Sequence, residues 1–262
     1  MIGAIIGDIV GSRFEFNNHR SKDFELFTDK CFATDDSIMT IAIMAACMDS
    51  KNNEELSRNA VKYMRKIGQK YPGCGYGGRF AQWMFSKNPK PYNSLGNGAA
   101  MRVSPVAYFA KDQEDVWKMS RAVTEVTHNH QEGIKGAECT AMCVWAALHK
   151  WPKEEIRDMA DMYYDVSFTL DEIRPTYQFN ETCQETVPQA IVAFLESTSF
   201  EDAIRNAISI GGDSDTLAAI TGAIAEAFYG VPAELYSKAI TYLDFQLYTI
   251  LRAAEESYES NK

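Results

Sequence analysis

The sequence predicts an all-α protein that forms one compact domain over residues 1–262. Apolar residues recur at helical spacing along most of the chain, and alternating patterns of strand length are missing. Glycines cluster between the helical segments instead, at 73–78, 96–98 and 211–212, where tight turns and close backbone contacts are expected. A chain of this length buries roughly 70–75% of its unfolded surface as one domain. We therefore expect a single bundle of about ten helices joined by functional loops.

The predicted helices follow the chain from its first residues. An apolar, helix-like segment ends at Gly11, and the next helix begins after TDDS at 34–37, whose polar residues are typical of helix caps. Residues 132–151 are apolar on several sides, which predicts a helix near the centre of the domain. The other predicted helices cover residues 54–67, 116–126, 187–196, 200–210, 216–229 and 232–255. The polar tail from about residue 256 is expected to fray.

Composition limits the class of partner and the compartment. The net charge of −10 disfavours a nucleic acid as the main partner, because phosphates would be repelled. The six cysteines form no CxxC pair, which predicts small core residues in a reducing cytoplasm. No apolar stretch reaches the ~18 residues of a membrane span, and the N-terminal segment lacks the basic start of a signal peptide. No long heptad pattern indicates assembly, so we expect a monomer.

Two acidic clusters stand at predicted helix starts, in TDDS at 34–37 and in GGDSDT at 211–216. Helix capping alone explains such residues at either place, since acids favour the positive end of a helix. Together, however, the clusters supply four carboxylates and two threonine hydroxyls with no cysteine or histidine. That all-oxygen set suits Mg²⁺ or Mn²⁺ rather than zinc, and a pair of ions ~3.5–4 Å apart could share it.

Two further groups of residues suggest chemistry. Glu15 lies between Phe14 and Phe16, where partial desolvation could raise its pKa and suit it to acid–base work; an ordinary solvated glutamate is the alternative. The segment SLGNG at 94–98 places glycines beside polar residues, which exposes backbone amides to phosphate or ribose oxygens. His128 follows a predicted helix, where a packed or capping histidine is the alternative to a functional one.

Taken in order, these segments resemble the ADP-ribosylglycohydrolase family, which includes the dinitrogenase reductase-activating glycohydrolase and the ADP-ribosyl-hydrolases of animals. The resemblance runs from about Ile2 to Tyr229. It rests on five motifs, which are GDIVGSRFEF at 7–16, TDDS at 34–37, GNGAAMRVSP at 96–105, TH at 127–128 and GGDSDTLAAITGAIAEA at 211–227.

The resemblance implies an all-α fold with a binuclear magnesium centre. The metal ligands that it implies are Thr34, Asp35, Asp36, Asp213, Asp215 and Thr216. The catalytic groups that it implies are Glu15, Asp35 and Asp36, with Glu15 as a general base or water-positioning residue. The residues that it implies as the lining of an ADP-ribose pocket are Ser94, Gly96, Asn97, Gly98 and His128. Asp8 is expected to support the ligands rather than to bind metal.

The implied activity is Mg²⁺-dependent removal of ADP-ribose from modified protein side chains, by cleavage of the N-glycosidic bond to arginine. The substrate would be an ADP-ribosylated protein or a small ADP-ribose conjugate. Hydrolysis of O-linked ADP-ribose, on serine or in O-acetyl-ADP-ribose, is an alternative. A non-catalytic ADP-ribose binding module would not need every acid of both clusters. Another metal-dependent hydrolase, such as a phosphohydrolase, would be expected to use His-Asp pairs, and the sequence has no such dipeptide.

Overall fold

A computed structural model describes residues 1–260, and its regular structure within them is helical apart from one isolated β-bridge between Gly96 and Thr182. The predicted all-α fold is confirmed. The α-helices are α1 (Ile2–Gly11), α2 (Asp35–Met48), α3 (Asn53–Gly68), α4 (Gly78–Phe85), α5 (Gly98–Met101), α6 (Val106–Phe109), α7 (Gln113–Thr124), α8 (Gln131–Leu148), α9 (Lys153–Asp161), α10 (Leu170–Ile173), α11 (Val187–Leu195), α12 (Phe200–Ser209), α13 (Ser214–Tyr229), α14 (Ala233–Ala239) and α15 (Phe245–Ser260). Short 3₁₀ turns lie at Cys183–Glu185 and Ile240–Tyr242.

The centre of the bundle is the pair α1 and α13, which pack along each other and against α2, α8, α11 and α12. Glycines at every fourth position of α1 bring the two backbones together. A methyl group built on Gly7 would lie 1.9 Å from the carbonyl oxygen of Ala218, and one on Gly3 would lie 2.2 Å from that of Gly222. One on Gly11 would lie 2.5 Å from the Cα of Asp215, so only glycine fits along this seam.

The helix α8 is buried along most of its length, as its sequence predicts. All six cysteines are free thiols, and five of them are buried in the core, while Cys74 is half-buried. Within residues 1–260, no helix combines the length and the hydropathy of a transmembrane span.

The prediction of one continuous helix over residues 232–255 is wrong. The chain turns into a 3₁₀ segment after Ala239 and becomes extended at Leu243. Asp244 starts a new helix there, because its Oδ1 accepts a hydrogen bond at 3.0 Å from the backbone N–H of Leu247. This helix continues through Ser260, so the predicted fraying tail is helical as far as the structure describes it; residues 261 and 262 lie outside the described part.

Candidate active site

The structure brings the two acidic clusters together at the N-termini of α2 and α13. Although they are 180 residues apart in sequence, the hydroxyl of Thr216 lies 3.3 Å from Oδ2 of Asp36. Carboxylate oxygens of Glu15, Asp213 and Asp215 all lie within 4.8 Å of one another. These residues line one cleft of about 280 Å³, together with Asp35. Acids that the sequence separates therefore face a single space.

Asp8 holds the first turn of α2 in place from behind the cleft. Its fully buried carboxylate accepts hydrogen bonds from the backbone N–H of Thr34 at 2.9 Å and from that of Ser37 at 3.0 Å. The hydroxyls of Thr34, at 2.7 Å, and of Ser37 donate to it as well. Burial raises the pKa of Asp8 to about 6 in spite of these donors. Asp8 is thus placed to support its neighbours.

Of the six predicted ligands, Thr34 is the one that does not line the cleft. Its hydroxyl donates to Asp8 and accepts from the backbone N–H of Asp36 at 3.2 Å, so it caps α2. The capping interpretation of Thr34 is correct, and one lone pair of its oxygen is left.

The turn before α13 presents two carboxylates to the cleft. Gly211 and Gly212 have φ values of +73° and +77°, a conformation that favours glycine. Asp213 occupies the N-cap position of α13 but makes no side-chain capping bond to that helix. Its carboxylate instead accepts a hydrogen bond at 2.7 Å from the amide of Asn97, which is on the opposite side of the cleft.

The buried acids repel one another. Burial, followed by the negative charges of neighbouring carboxylates, raises the pKa values of Asp35, Asp36 and Asp215 well above their usual range. Burial is also the main cause that raises the pKa of Asp213 to about 6. Oδ1 of Asp36 is buried with no hydrogen-bond partner among the described residues. An orphaned carboxylate oxygen inside a cluster of hard oxygen donors fits a divalent cation such as Mg²⁺.

Glu15 reaches this cluster from the loop after α1, and that loop is pinned to the turn that carries Asp213. The side-chain amide of Asn18 donates to the carbonyl of Gly212 and accepts from its N–H, both at 2.8 Å. The same amide group donates to the carbonyl of Glu15 at 2.9 Å. Burial, then the charges of Asp215, Asp8 and Glu181, raises the pKa of Glu15 to about 8. The carboxyl group can therefore hold or release a proton near neutral pH.

The other side of the cleft carries all five predicted pocket residues, Ser94, Gly96, Asn97, Gly98 and His128. The backbone N–H of Asn97 donates to the carbonyl of Glu181 at 2.7 Å, which fixes the glycine segment before α5. His128 is buried, and its Nε2 atom lies 3.5–3.6 Å from the positions that a Cβ on Gly98 or Gly96 would occupy. A buried imidazole thus faces a surface without side chains.

Sequence reasoning missed several residues of the lining, among them Arg79, Tyr92, Arg102 and Glu181. Arg79 lies in the first turn of α4, a helix that the apolar pattern does not predict, and its guanidinium lies over the ring of Tyr92 at 4.9 Å. Arg102 is inside the motif at 96–105, so its position is a signal, but the motif by itself does not indicate what the side chain does. Nothing local to Glu181 in the sequence marks it.

The fold and the cleft define an all-α protein with a carboxylate-rich centre built at helix N-termini and suited to a divalent cation. A family model described as ADP-ribosylglycohydrolase matches residues 1–259. The chain belongs to the ADP-ribosylglycohydrolase family. It is accordingly a glycosyl hydrolase of a metal-dependent family that acts on ADP-ribosylated substrates.

Individual relatives are similar at modest identity. Human ADP-ribosylhydrolase ARH3 is 27% identical, over 88% of this chain and 84% of its own length. The ADP-ribosylarginine hydrolase Tri1 of Pseudomonas putida (strain GB-1) is 28% identical, over 57% of this chain and 42% of its own. A solved structure described as an ADP-ribosylglycohydrolase-related protein complex has a TM-score of 0.70 at 20% identity, over 98% of this chain and 95% of that one. This last likeness shows the shared fold.

Proposed function

We propose that the protein hydrolyses the N-glycosidic bond between ADP-ribose and an arginine side chain. The observation that carries this linkage is an exposed aromatic pair, Phe16 and Phe179, in the segments that carry Glu15 and Glu181. Phe16 is 86% exposed and its ring stacks on that of Phe179, with centroids 6.0 Å apart. The same two segments supply Glu15 and Glu181 to the cleft. Aromatic faces beside carboxylates favour a planar cation such as a guanidinium, whereas a serine-linked substrate offers no charge there.

The acid cluster would hold two Mg²⁺ ions, with Mn²⁺ as a substitute, through the six ligands named above. When bound, the ions would neutralise the carboxylates and bind hydroxyls of the ribose next to the scissile bond. The sequence similarity to an ADP-ribosylarginine hydrolase over 57% of the chain supports the proposed linkage.

The residues of the chain itself would orient the substrate and move one proton. The glycine segment at 96–98 and His128 would bind the diphosphate, which places the distal ribose against Asp35 and Asp36. These carboxylates would stabilise the positive charge that develops on the sugar as the arginine leaves. Glu15 would take a proton from the attacking water and pass it to the departing guanidine nitrogen, so that the C1–N bond breaks, a C1–O bond forms and the arginine side chain is released.

The deciding experiment incubates the protein with arginine-ADP-ribosylated and serine-ADP-ribosylated peptides, with Mg²⁺ or with chelator, and quantifies free ADP-ribose. We expect Mg²⁺-dependent release from the arginine peptide. Release from the serine peptide alone would favour the O-linked alternative, and unimpaired release in chelator would contradict the metal assignment.

The aromatic pair is tested separately with Phe16→Leu. We expect the KM for the arginine peptide to rise about 5-fold, the size of a lost cation–π contact. Phe245→Leu is the matched control, because Phe245 is equally exposed, at 85%, but lies on α15 and not in the segments that carry Glu15 and Glu181. An unchanged KM in Phe16→Leu would remove the aromatic pair from substrate recognition.

A further inference from the structure

A buried arginine lies beneath the cleft without a carboxylate to pair with. Arg102 is 1% exposed, and no described acid lies within ion-pair distance of it. Its Nη2 donates to the hydroxyl of Thr127 at 2.7 Å and lies 3.4 Å from Nδ1 of His128. Its Nε has no partner in the described part of the chain. Burying a charge at such cost calls for a reason beyond packing.

The hydrogen bonds around Thr127 run in one direction. A guanidinium only donates, so the Thr127 oxygen accepts from Arg102 and has its own hydrogen to give. Two acceptors are in reach, namely Nδ1 of His128 at 2.8 Å and the carbonyl of Thr124 at 3.4 Å. Nδ1 also faces an N–H of Arg102 at 3.4 Å, and a guanidinium can only donate, so Nδ1 is an acceptor and the hydroxyl hydrogen of Thr127 goes to it.

The imidazole is therefore fixed in one form. Because Nδ1 accepts, the ring hydrogen of a neutral imidazole must be on Nε2. Burial, then the charges of Arg102 and Arg79, lowers the pKa of His128 well below its usual range, so the ring stays neutral. Nε2 faces Gly96 and Gly98, where no side chain covers it.

We propose that Arg102 is a positioning residue that acts through Thr127 to hold His128 as its Nε2–H tautomer, so that this N–H donates to a phosphate oxygen of the bound substrate. The identity of the ligand as a diphosphate rests on the proposed function. Without Arg102, the Thr127 hydroxyl could turn and accept a hydrogen bond from Nδ1–H. Nε2 would then carry a lone pair and no hydrogen, and it would repel the phosphate.

The tautomer is measurable without any ligand. In protein labelled with ¹⁵N-histidine, long-range proton–nitrogen correlation spectra distinguish protonated from unprotonated ring nitrogens. The signal of His128 is assigned from its loss in His128→Gln, among the four histidines of the chain. We expect an unprotonated Nδ1 and a protonated Nε2 in the unsubstituted protein between about pH 6 and 8. A protonated Nδ1 would overturn the proposal.

The effect of the arginine is tested with Arg102→Met, which keeps an unbranched apolar stem and removes the guanidinium donors. We expect a population with protonated Nδ1 to appear, and the Kd for ADP-ribose, measured by calorimetry, to rise about 10-fold. Arg65→Met is the control, because Arg65 donates to the carbonyls of Met84 and Ser86 away from the cleft. A single Nε2–H tautomer and an unchanged Kd in Arg102→Met would overturn the proposal. The expected tautomer in an unsubstituted protein that does not bind ADP-ribose would overturn the proposed function instead, and with it the phosphate contact.

Discussion

Helices of this protein start in two ways that look alike in sequence. At α3, α7 and α12 a polar N-cap is followed by two acids, and the caps Asn52, Asp112 and Ser199 each accept a hydrogen bond from the backbone N–H three residues on. The acids after them face solvent wholly or in part. At α2 and α13 the same residue types are turned into the cleft, and Asp213 does not cap its own helix at all.

The difference lies in what packs behind each helix start. The helix starts of α3, α7 and α12 have solvent there, and their acids complement the helix dipole or pair locally, as Asp202 does with Lys22. Behind α2 and α13 lies α1, with Asp8 bonded to the first turn of α2 and Gly11 in contact with Asp215. Residue types at a helix start therefore indicate a cap, while burial against a third helix indicates a functional centre.

The largest effect on activity should come from neutralising acids at the buried N-termini of α2 and α13. We expect Asp36→Asn and Asp215→Asn each to lower kcat for ADP-ribose release about 10³-fold, because each removes a carboxylate that would hold Mg²⁺ beside the reacting bond. Asp115→Asn, at the exposed start of α7, is the matched control and should keep full activity. Equal losses at both kinds of start would break the comparison.

Glu15 reaches the acids at the N-termini of α2 and α13 from a loop, so its effect on catalysis can be measured separately from its effect on binding. We expect Glu15→Gln to lower kcat about 10²-fold, the contribution typical of a general base. The Kd for ADP-ribose should change little, since glutamine keeps the shape of the side chain. Rates of single-turnover hydrolysis and calorimetric binding measure the two quantities. An active Glu15→Gln variant would remove Glu15 from the proposed mechanism.

The stability of the metal-free protein should depend on pH because the acids of the cleft are buried close to one another. The pKa values of Asp8 and Asp213 are raised to about 6, and that of Glu15 to about 8, whereas unfolded acids titrate near ~4. The folded state then binds more protons than the unfolded state, so stability present below ~pH 4 is lost as the pH rises through 6 and 8.

In chelator we expect the thermal midpoint to fall by ~5 °C or more between pH 5 and 9, and Mg²⁺ to remove most of that fall. Asp215→Asn should flatten the dependence, because one of the repelling charges is gone. Thermal unfolding followed by fluorescence measures it. A midpoint in chelator that rises over this range would contradict the electrostatic description of the cluster.

The smallest effect belongs to an ordinary cap. Asp112→Ala should lower the free energy of unfolding by about 1 kcal/mol, because the backbone N–H of Asp115 loses its acceptor. Hydrolysis should be unchanged, since Asp112 is not part of the cleft lining. Urea unfolding and the ADP-ribose assay together check both halves. A fall in hydrolysis under conditions where the variant remains folded would contradict the prediction, because it would show that Asp112 contributes to activity.

Local sequence predicts those features that local physics determines. Apolar periodicity locates α3, α8, α11, α12 and α13, because each buries a face or its whole surface in the core. It fails over 232–255, where Asp244 caps a new helix inside an otherwise helical pattern. It also misses α4, which begins after Gly77 without a side-chain cap.

The site divides in the same way. The acid and glycine clusters carry their own signals, so the acids of both helix starts and the residues at 94–98 can be predicted from the sequence. Glu181 enters the cleft only because the β-bridge from Thr182 to Gly96 brings its segment there. The side chain of Thr34 is oriented by Asp8, which is 26 residues away. Such contacts follow from the assembled fold.

The glycine seam between α1 and α13 has a consequence for how this protein can change. Helices that meet through side chains can shift when paired substitutions exchange volume, but backbones in direct contact have no volume to exchange. We therefore expect substitutions at these glycines to be rejected, which keeps the spacing between the acids that the two helices support. We expect new linkage specificities to arise in the loops that carry Phe16 and Phe179, while the geometry of the acids stays fixed.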